Sequence, residues 1–471
     1  MWNFLMKDAE KTTEPELLSR TLQALDHCAD LVHQNFPRHA IDLIYFAHLT
    51  GKEQLRKDVL EPFGTVDNHQ AQIEEQLTQS HYVQATSSEQ LTQGILGGQV
   101  AIYYSGQAYL YDSYSPDTRS ITSSDTETVI SGPQDSFTES LSTNLSLIRR
   151  RLQDARLKSL SFKLGSKSGS SMSLLYLEGE ADPGDVQLMC EKLRGIQTDT
   201  ILDTNTLTQY LDPRSFIVFP QFLTTVRPDV VVSKLTNGKM VGLLDGSQVA
   251  FSAPATFYEF FSSSDDYYLS WLVSSAIRLL RYIALFITLG FTAFYVTVVT
   301  YHYEMIPPSL LNNLMESRNK VPFTPLMEAI IMEFTIELLR EAGARLPTKI
   351  GTTIGTVGGI VIGQAAVQAG ITSNILIISV SISAIASFVI PSYSMSSAIR
   401  LFRFGIIVLA GLLGNFGLVI GFALFVIQLS GKNALGSAGS YMSPGNWLDM
   451  IVRAPVQWID KARKHAKSSS R

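Results

Sequence analysis

The sequence predicts an α/β cytoplasmic region of two related lobes, followed by an all-α multi-pass membrane domain. Three observations predict it. Residues 350–399, IGTTIGTVGGIVIGQAAVQAGITSNILIISVSISAIASFVIPSYSMSSAI, hold no Asp, Glu, Lys or Arg, whereas a soluble domain charges roughly a quarter of its positions. In the N-terminal half, 89–112 and 229–252 echo each other at an offset of 140 residues. The start, MWNFLMKDAEKTTEPE, reaches acidic residues with no cationic and apolar leader, so no signal peptide is expected and this half stays in the cytoplasm.

Composition excludes several classes of function. A net charge of −5 over 471 residues gives no basic face for nucleic acid. Cys28 and Cys190 lie far apart in polar segments, which suits buried or idle thiols in a reducing compartment. The eight histidines show no HExxH and no metal-ligand spacing. There is no GxSxG and no dinucleotide fingerprint after a strand, and GSKSGSSMS lacks the Gly-Lys-Ser/Thr ending of a phosphate loop. Asp265 and Asp266 suit surface helix capping better than paired catalytic carboxylates. The chain is expected to be no enzyme, with no catalytic residues, cofactor or metal.

In chain order, residues 1–40 carry an amphipathic helix over 17–36, with apolar side chains at helical spacing. Residues 41–155 form the first α/β lobe, with a buried strand at 41–49 and a helix at 52–60. Residues 156–260 form the second lobe, to which LRGIQTDTILD and FIVFPQF contribute. The echo reads as helix, glycine (Gly98, Gly238), strand, tight turn (Ser105-Gly106, Asp245-Gly246) and second strand. Asp-Gly between apolar runs signals a hairpin, because glycine takes the positive φ that such turns demand. The polar run 113–128 reads as an exposed loop. The helix at 140–153 ends in Arg149, Arg150 and Arg151, a triplet suited to phosphate or headgroups but better explained by a solvated face or an acidic packing partner.

The membrane domain spans 277–431. Bilayer crossings need about 20 apolar residues each. The first, 282–302, follows Arg278 and Arg281 as cytoplasmic anchors. Residues 325–345 form an apolar helix punctuated by Glu328, Glu333 and Glu337, either interfacial or a span whose Glu face is buried. A hairpin follows, 350–369 and 375–393, turning at 370–374. The charge-free stretch 404–430, preceded by Arg400 and Arg403, is either one long helix or folds back at Gly414-Asn415-Phe416-Gly417. The tail 432–471 is basic and expected to be cytoplasmic. Gly351, Gly355, Gly359 and Gly363 recur every four residues, leaving a groove beside Val357 and Val361, and Ser379, Ser383 and Ser387 form a small polar stripe on the second arm. Both suit close helix packing or the lining of a water-filled path.

Several segments together resemble the A subunits of bacterial spore germination nutrient receptors, the GerA family. They are GPQDSFTESLSTNLSLIRRRL (132–152), RPDVVV (227–232), YHYEMIPPSLL (301–311), RNKVPFTPLMEAI (318–330), LLREAGARLP (338–347), VGGIVIGQAAVQAGI (357–371) and ASFVIPSY (386–393). The resemblance runs from about residue 36 to residue 455. It implies a multi-pass subunit of the cell (spore inner) membrane, working with a transporter-like B subunit and a lipoprotein C subunit. It also implies a homo-oligomer in the lipid bilayer that forms a nutrient-gated ion channel. Ser131 and Gln134 stand where the family's Gly-Pro motif is flanked by basic residues, which puts that contact in doubt. The rivals are a secondary transporter of a small solute and a passive scaffold, though no inverted repeat of spans supports transport.

Overall fold

The computed structural model describes residues 16–37, 39–61, 70–116, 127, 132–212, 217–346, 358–359, 361–431, 452–455 and 457–458. The chain forms two compact units, Met1–Pro213 with Phe222–Pro254, and Arg214–Gln221 with Ala255–Arg471.

The first unit is built on two five-stranded antiparallel sheets with strand orders β1-β2-β4-β5-β3 and β6-β7-β9-β10-β8. Its helices are α1 (Glu16–Ala24), α2 (Gln70–Leu77), α3 (Ser88–Leu96), α4 (Leu141–Arg151), α5 (Pro183–Gly195), α6 (Thr204–Leu211) and α7 (Pro228–Thr236). The strands of the first sheet are β1 (Leu31–Phe36), β2 (Ile41–Phe46), β3 (Tyr82–Ala85), β4 (Val100–Tyr104) and β5 (Gln107–Tyr111). Those of the second are β6 (Leu157–Leu164), β7 (Ser170–Leu177), β8 (Leu223–Thr225), β9 (Met240–Leu244) and β10 (Ala250–Ala253). Successive strand residues point to opposite faces. β2 therefore sends Ile44 and Phe46 into a core with Leu18 and Leu91, and Ile41 and Leu43 into another with Val59 and Ile73. That double burial is why β2 reads as a continuous apolar run.

The helix expected over 17–36 stops at Ala24. His27 takes φ 57, a left-handed turn, and LVHQNF then pairs as β1 with β2, Leu31 opposite Phe46. Helical spacing of the apolar residues yields here to strand pairing. The expected helix at 52–60 is a short α-turn, Lys52–Gln54, running into a π-helix, Leu55–Leu60.

The echo has a backbone counterpart. α3 and α7 span 88–96 and 228–236, and β4 and β9 span 100–104 and 240–244. Gly98 and Gly238 have φ 90 and 76, and Gly106 and Gly246 have φ 79 and 84. A Cβ on Gly238 would stand 2.5 Å from the Glu180 carbonyl oxygen, so side chains are excluded there twice over. The register then slips. Ala108 pairs with Tyr103, but Ala250 pairs with Leu243, so the second connection is two residues longer than the offset of 140 implies.

The division expected at 155 assigns α4 to the first lobe, yet the helix packs elsewhere. Ser140 caps it by accepting from the Thr143 amide, and Leu145 and Ile148 enter the core of the second sheet with Leu157, Leu175, Val231 and Val241. The polar run 113–128 falls mostly outside the described residues. Where it is described, Ser113 is buried and Tyr114 bridges to Thr50. Cys28 and Cys190 are free and buried, and burial pushes both thiols up.

Of the arginine triplet, Arg149 is fully buried. Its Nε and Nη2 donate to Asp30 Oδ2 and Oδ1 at 2.6 and 2.8 Å, and its guanidinium lies 4.2 Å over the Phe46 ring. Arg151 pairs with Asp135, and Arg150 is exposed. Arg149 thus ties the helix of one sheet to the turn leading into β1 of the other. Lys158 Nζ, donating to the Ala24 carbonyl, crosses the same seam.

The second unit is helical, with α8 (Trp271–Tyr301), α9 (Pro308–Arg318), α10 (Pro325–Arg345), α11 (361–368), α12 (Asn374–Phe388), α13 (Tyr393–Leu413) and α14 (Asn415–Leu429). α8 packs on α12 and α13, α10 on both of these, and α14 on α13. The stretch 404–430 is not one helix. The chain breaks at Gly414, φ 62, and α14 returns along α13 so closely that a Cβ on Gly417 would lie 1.9 Å from the Leu409 carbonyl oxygen. Phe219 of FIVFPQF, expected to serve the second lobe, packs in this unit against Phe402 and Phe425.

The Asp30–Arg149 pair generates a pH prediction. Burial alone would raise the Asp30 carboxyl, but the Arg149 guanidinium overrides it and holds the carboxyl below its ordinary range. A depressed folded pKa gives stability that is complete above the unfolded value, about 3.9, and is lost as pH falls through the folded value. Asp30→Asn should cost about 3–5 kcal/mol at pH 7 and flatten that acid loss. Denaturant midpoints at pH 7 and at pH below about 4 check it, and a variant as stable as the parent at pH 7 would remove the tie.

Candidate functional site

Helix α10 begins with Thr324, whose hydroxyl accepts from the Met327 amide, and with Pro325 preset for the first turn. Its carboxylates Glu328, Glu333 and Glu337 lie on successive turns, and each meets an arginine. Glu328 is fully buried, 3.0 Å from Arg318 Nη1, and its Oε2 accepts from the Ser373 amide at 3.1 Å, at the N-terminus of α12. Glu333 is fully buried as well. Its Oε1 accepts from Thr292 Oγ1 of α8 at 2.9 Å, and its Oε2 lies 2.5 Å from Arg403 Nη2 of α13. Glu337 Oε1 is shared by Arg340 at 2.8 Å and by Arg400 and Arg403, each at 3.3 Å.

The serine stripe receives the other ends of these arginines. Ser383 Oγ accepts from Arg403 Nη1 at 3.0 Å and donates to the Thr288 carbonyl of α8 at 3.2 Å. Ser387 Oγ accepts from Arg340 Nη2 at 3.0 Å, while its carbonyl accepts from Ser396 Oγ at 2.8 Å. Ser379 is buried on the same face. Four helices, α8, α10, α12 and α13, therefore converge on one polar node around Arg403, itself fully buried. The node's described charges are three guanidiniums, Arg340, Arg400 and Arg403, against two carboxylates, Glu333 and Glu337.

The structure gathers Glu333, Glu337, Ser383 and Ser387 into this node, and the described glycines Gly359 and Gly363 lie outside it. Gly351, Gly355 and Val357 lie outside the described residues. Among the described residues nothing stands within 4 Å of a Cβ built on Gly359 or Gly363, and Val361 is 56% exposed. Sequence reasoning missed Thr292, Arg318, Arg340, Arg400 and Arg403. The last two are three residues apart, on one face of a helix, a signal hidden by reading them as charges ahead of a span. They sit in the middle of α13 instead.

A second buried cluster corrects three further expectations. Asp266 caps a 3-10 turn, as its position suggested, but it is buried rather than superficial. Its Oδ2 meets Arg278 Nε at 2.9 Å and Arg281 Nη1 at 2.7 Å. Both arginines are buried within a longer helix, α8, that starts at Trp271, not at 282. Arg453 of the tail donates to the Asp266 carbonyl at 2.6 Å and stacks over Tyr267 at 4.5 Å.

A family model described as Bacillus/Clostridium GerA spore germination protein matches residues 19–465. The chain is 40% identical over 390 residues to spore germination protein GerQA of Bacillus cereus, covering 81% of this chain and 78% of that one. It is 33% identical over 451 residues to the uncharacterized membrane protein YfkQ of Bacillus subtilis, covering 93% and 88%. The crystal structure of the N-terminal domain of the A subunit of the Bacillus megaterium spore germinant receptor GerK3 covers 51% of this chain and 94% of that chain, at 21% identity and a TM-score of 0.39.

The node predicts a double-mutant signature. Arg403→Met leaves Glu333 buried without its counter-charge and should cost about 3–5 kcal/mol. Glu333→Leu should also destabilise, though less, because Arg403 keeps Glu337 at 3.3 Å and Ser383 at 3.0 Å. The double variant should regain most of the loss, because a pair replaced by apolar side chains of like volume is close to neutral. Thermal unfolding of the four proteins in detergent measures it. Additive losses would mean the two residues are not coupled.

Proposed function

The chain belongs to the Bacillus/Clostridium GerA spore germination protein family, and we propose that it is a receptor A subunit acting as a nutrient-gated ion channel component rather than an enzyme. In this reading it is a multi-pass protein of the spore inner membrane that oligomerises, works with a transporter-like B subunit and a lipoprotein C subunit, and opens to start germination.

The observation that carries the membrane reading is the inverted polarity of the helical unit. Glu328, Glu333 and Arg403 are fully buried, while Ile385, Leu412, Phe416 and Ile427 are each more than 60% exposed. Water would select the reverse arrangement. α8 and α13 are long and apolar enough to cross a bilayer, and α12 and α14 are shorter apolar helices. Charges turned inward and paired are what hydrocarbon requires. The name of YfkQ agrees, since it is called a membrane protein.

We further propose that the α/β region is a duplicated lobe. The shared strand order and paired glycine turns support this reading. α1 packing on α3 and α4 packing on α7 extend it, so that each lobe would begin with its helix, near 16 and near 141. We place both lobes and the basic tail in the cytoplasm. Cysteines introduced at 20 and 468 should resist an impermeant thiol reagent added outside intact cells, and labelling at either position would reverse that placement.

The channel reading turns on the glycine groove. Because the space at Gly359 is open among the described residues, Gly359→Leu should cost little inside one chain. Its effect would report on a neighbour or on a path. We expect the variant to assemble normally and to release ions more slowly on nutrient addition. Lost assembly would make the groove a packing seam between subunits. Normal assembly with normal release would remove the groove from both roles. For the parent protein in liposomes, ion current marks a channel, substrate counterflow a transporter, and neither a scaffold.

A further inference from the structure

The buried node is one negative charge short. Among the described residues Arg340, Arg400 and Arg403 meet only the carboxylates of Glu333 and Glu337. The surplus cation sits at an open edge. Arg403 and Glu333 are sealed, whereas the side chains of Arg340 and Glu337 remain 13% and 26% exposed. Arg340 donates to Glu337 Oε1 and Ser387 Oγ, but its Nε has no hydrogen-bond partner among the described residues. Arg400 donates to Ser396 Oγ and Ser397 Oγ, and its Nε, 3.3 Å from Glu337 Oε1, makes no aligned hydrogen bond.

This edge lies where α10 leaves the apolar layer. Glu341 and Arg345 follow Arg340 on the same helix as an exposed ion pair, and exposed charge belongs among headgroups or in water. Phe388 closes α12 with its ring 4.6 Å from the Arg340 guanidinium, and Tyr393 opens α13. They are 70% and 72% exposed, and aromatic rings at the ends of spans mark the headgroup level. At the last residue of α8, the Tyr301 hydroxyl donates to the Gly411 and Leu412 carbonyls near the end of α13. The two helices therefore run the same way, and Tyr393 and Arg400 lie toward the end of α8 that follows the lobes, the cytoplasmic side in the reading above.

Another copy of the chain has no helical carboxylate to lend. Helices α8 to α14 carry five. Glu328, Glu333, Glu337 and Glu341 of α10 each meet an arginine of their own chain, and Glu316 lies on α9, past the other end of α8. Lipid phosphates, by contrast, crowd this depth, and basic pockets between spans on the cytoplasmic side take up acidic headgroups. We infer that the Arg340–Arg400 edge binds the phosphate of an anionic phospholipid from the cytoplasmic leaflet, with Phe388 as a platform for the guanidinium. The inference rests on the membrane reading above and adds a ligand site to it. A phosphodiester supplies the missing charge and accepts from guanidiniums in a geometry that suits their fork. A zwitterionic headgroup carries the same phosphate but cancels its charge.

The test melts the full chain in neutral detergent with added phosphatidylglycerol or, for comparison, phosphatidylcholine. A ligand that binds only the native state raises the midpoint. Phosphatidylglycerol should raise it and phosphatidylcholine should not. Arg340→Gln leaves the node neutral and should cut the apparent affinity at least about tenfold, the worth of one hydrogen bond to a charged group. Arg345→Gln removes an equal charge from the neighbouring exposed pair and should keep the parent's affinity. Phe388→Leu, at an exposed position on which the fold does not depend, should weaken binding about threefold by removing the cation–π contact. An Arg340→Gln response equal to the parent's, or a parent response equal for the two lipids, overturns the inference. So does a matching shift with inorganic phosphate at the same concentration, which would make the ligand a free anion. If Arg340→Gln does not fold, an unchanged affinity in Phe388→Leu overturns it alone. A chain that stays monodisperse without detergent instead defeats the membrane reading, and the headgroup site falls with it.

Discussion

A guanidinium enclosed by apolar helices has to be paired, and the helical unit is arranged around that requirement at Arg403. The side chain has donors to spare, and it spends them on two other helices, whose acceptors a third holds. Glu333 and Glu337 of α10 take one nitrogen, Ser383 of α12 another, and Thr292 and Thr288 of α8 hold the acceptors in place. Dispersion alone lets apolar helices slide past one another, whereas a polar node in a low-dielectric interior fixes register. The shared use of Glu337 by three arginines ties Arg340 and Arg400 to the same register.

The α/β unit solves its problem by other means. There the constraint is backbone conformation, imposed at turns where only glycine is at ease. Gly98, Gly106, Gly238 and Gly246 all take positive φ, so each helix–glycine–strand–turn–strand passage is constrained by local chemistry. Arg149 and Asp30 resemble the Arg403 node in miniature, a buried bidentate pair that joins two sheets alongside Lys158 and the Cys28–Ser159 bridge.

This difference explains what could be read from the sequence. Turn glycines are local signals, and the echo at 140 residues carried them correctly through α7 and β9. The slip of two residues after Gly246 was invisible, because register there is set by which residues pair, not by spacing. The β1 strand was misread as helix because its apolar spacing fits both periods and only its pairing with Ile41–Phe46 decides. The buried arginines were the hardest. Arg149 finds Asp30 119 residues away and Arg403 finds Glu337 66 residues away. Each was surrounded in sequence by features that suggest a surface, a helix C-terminus for one and the flank of an apolar run for the other. The Glu face of α10 was legible as an anomaly, since lipid forbids it, but its partners were not.

The polar groups of α11 and α12 are sorted by where their partners lie. On α12, Ser387 and Ser383 face inward and are consumed by Arg340 and Arg403. On α11 the glutamines face outward and are not consumed by any described residue. In water this would mean little, because solvent satisfies an exposed amide at no cost. In a bilayer the same arrangement is an unfinished hydrogen-bond account. Among the described residues the buried carboxylates Asp266, Glu328 and Glu333 all meet guanidiniums, whereas two amides are left without partners on a charge-free helix, so the helical unit has hydrogen bonds still to complete there. Whatever completes them has to bring water or polar groups to that one face while leaving the inward-facing node intact.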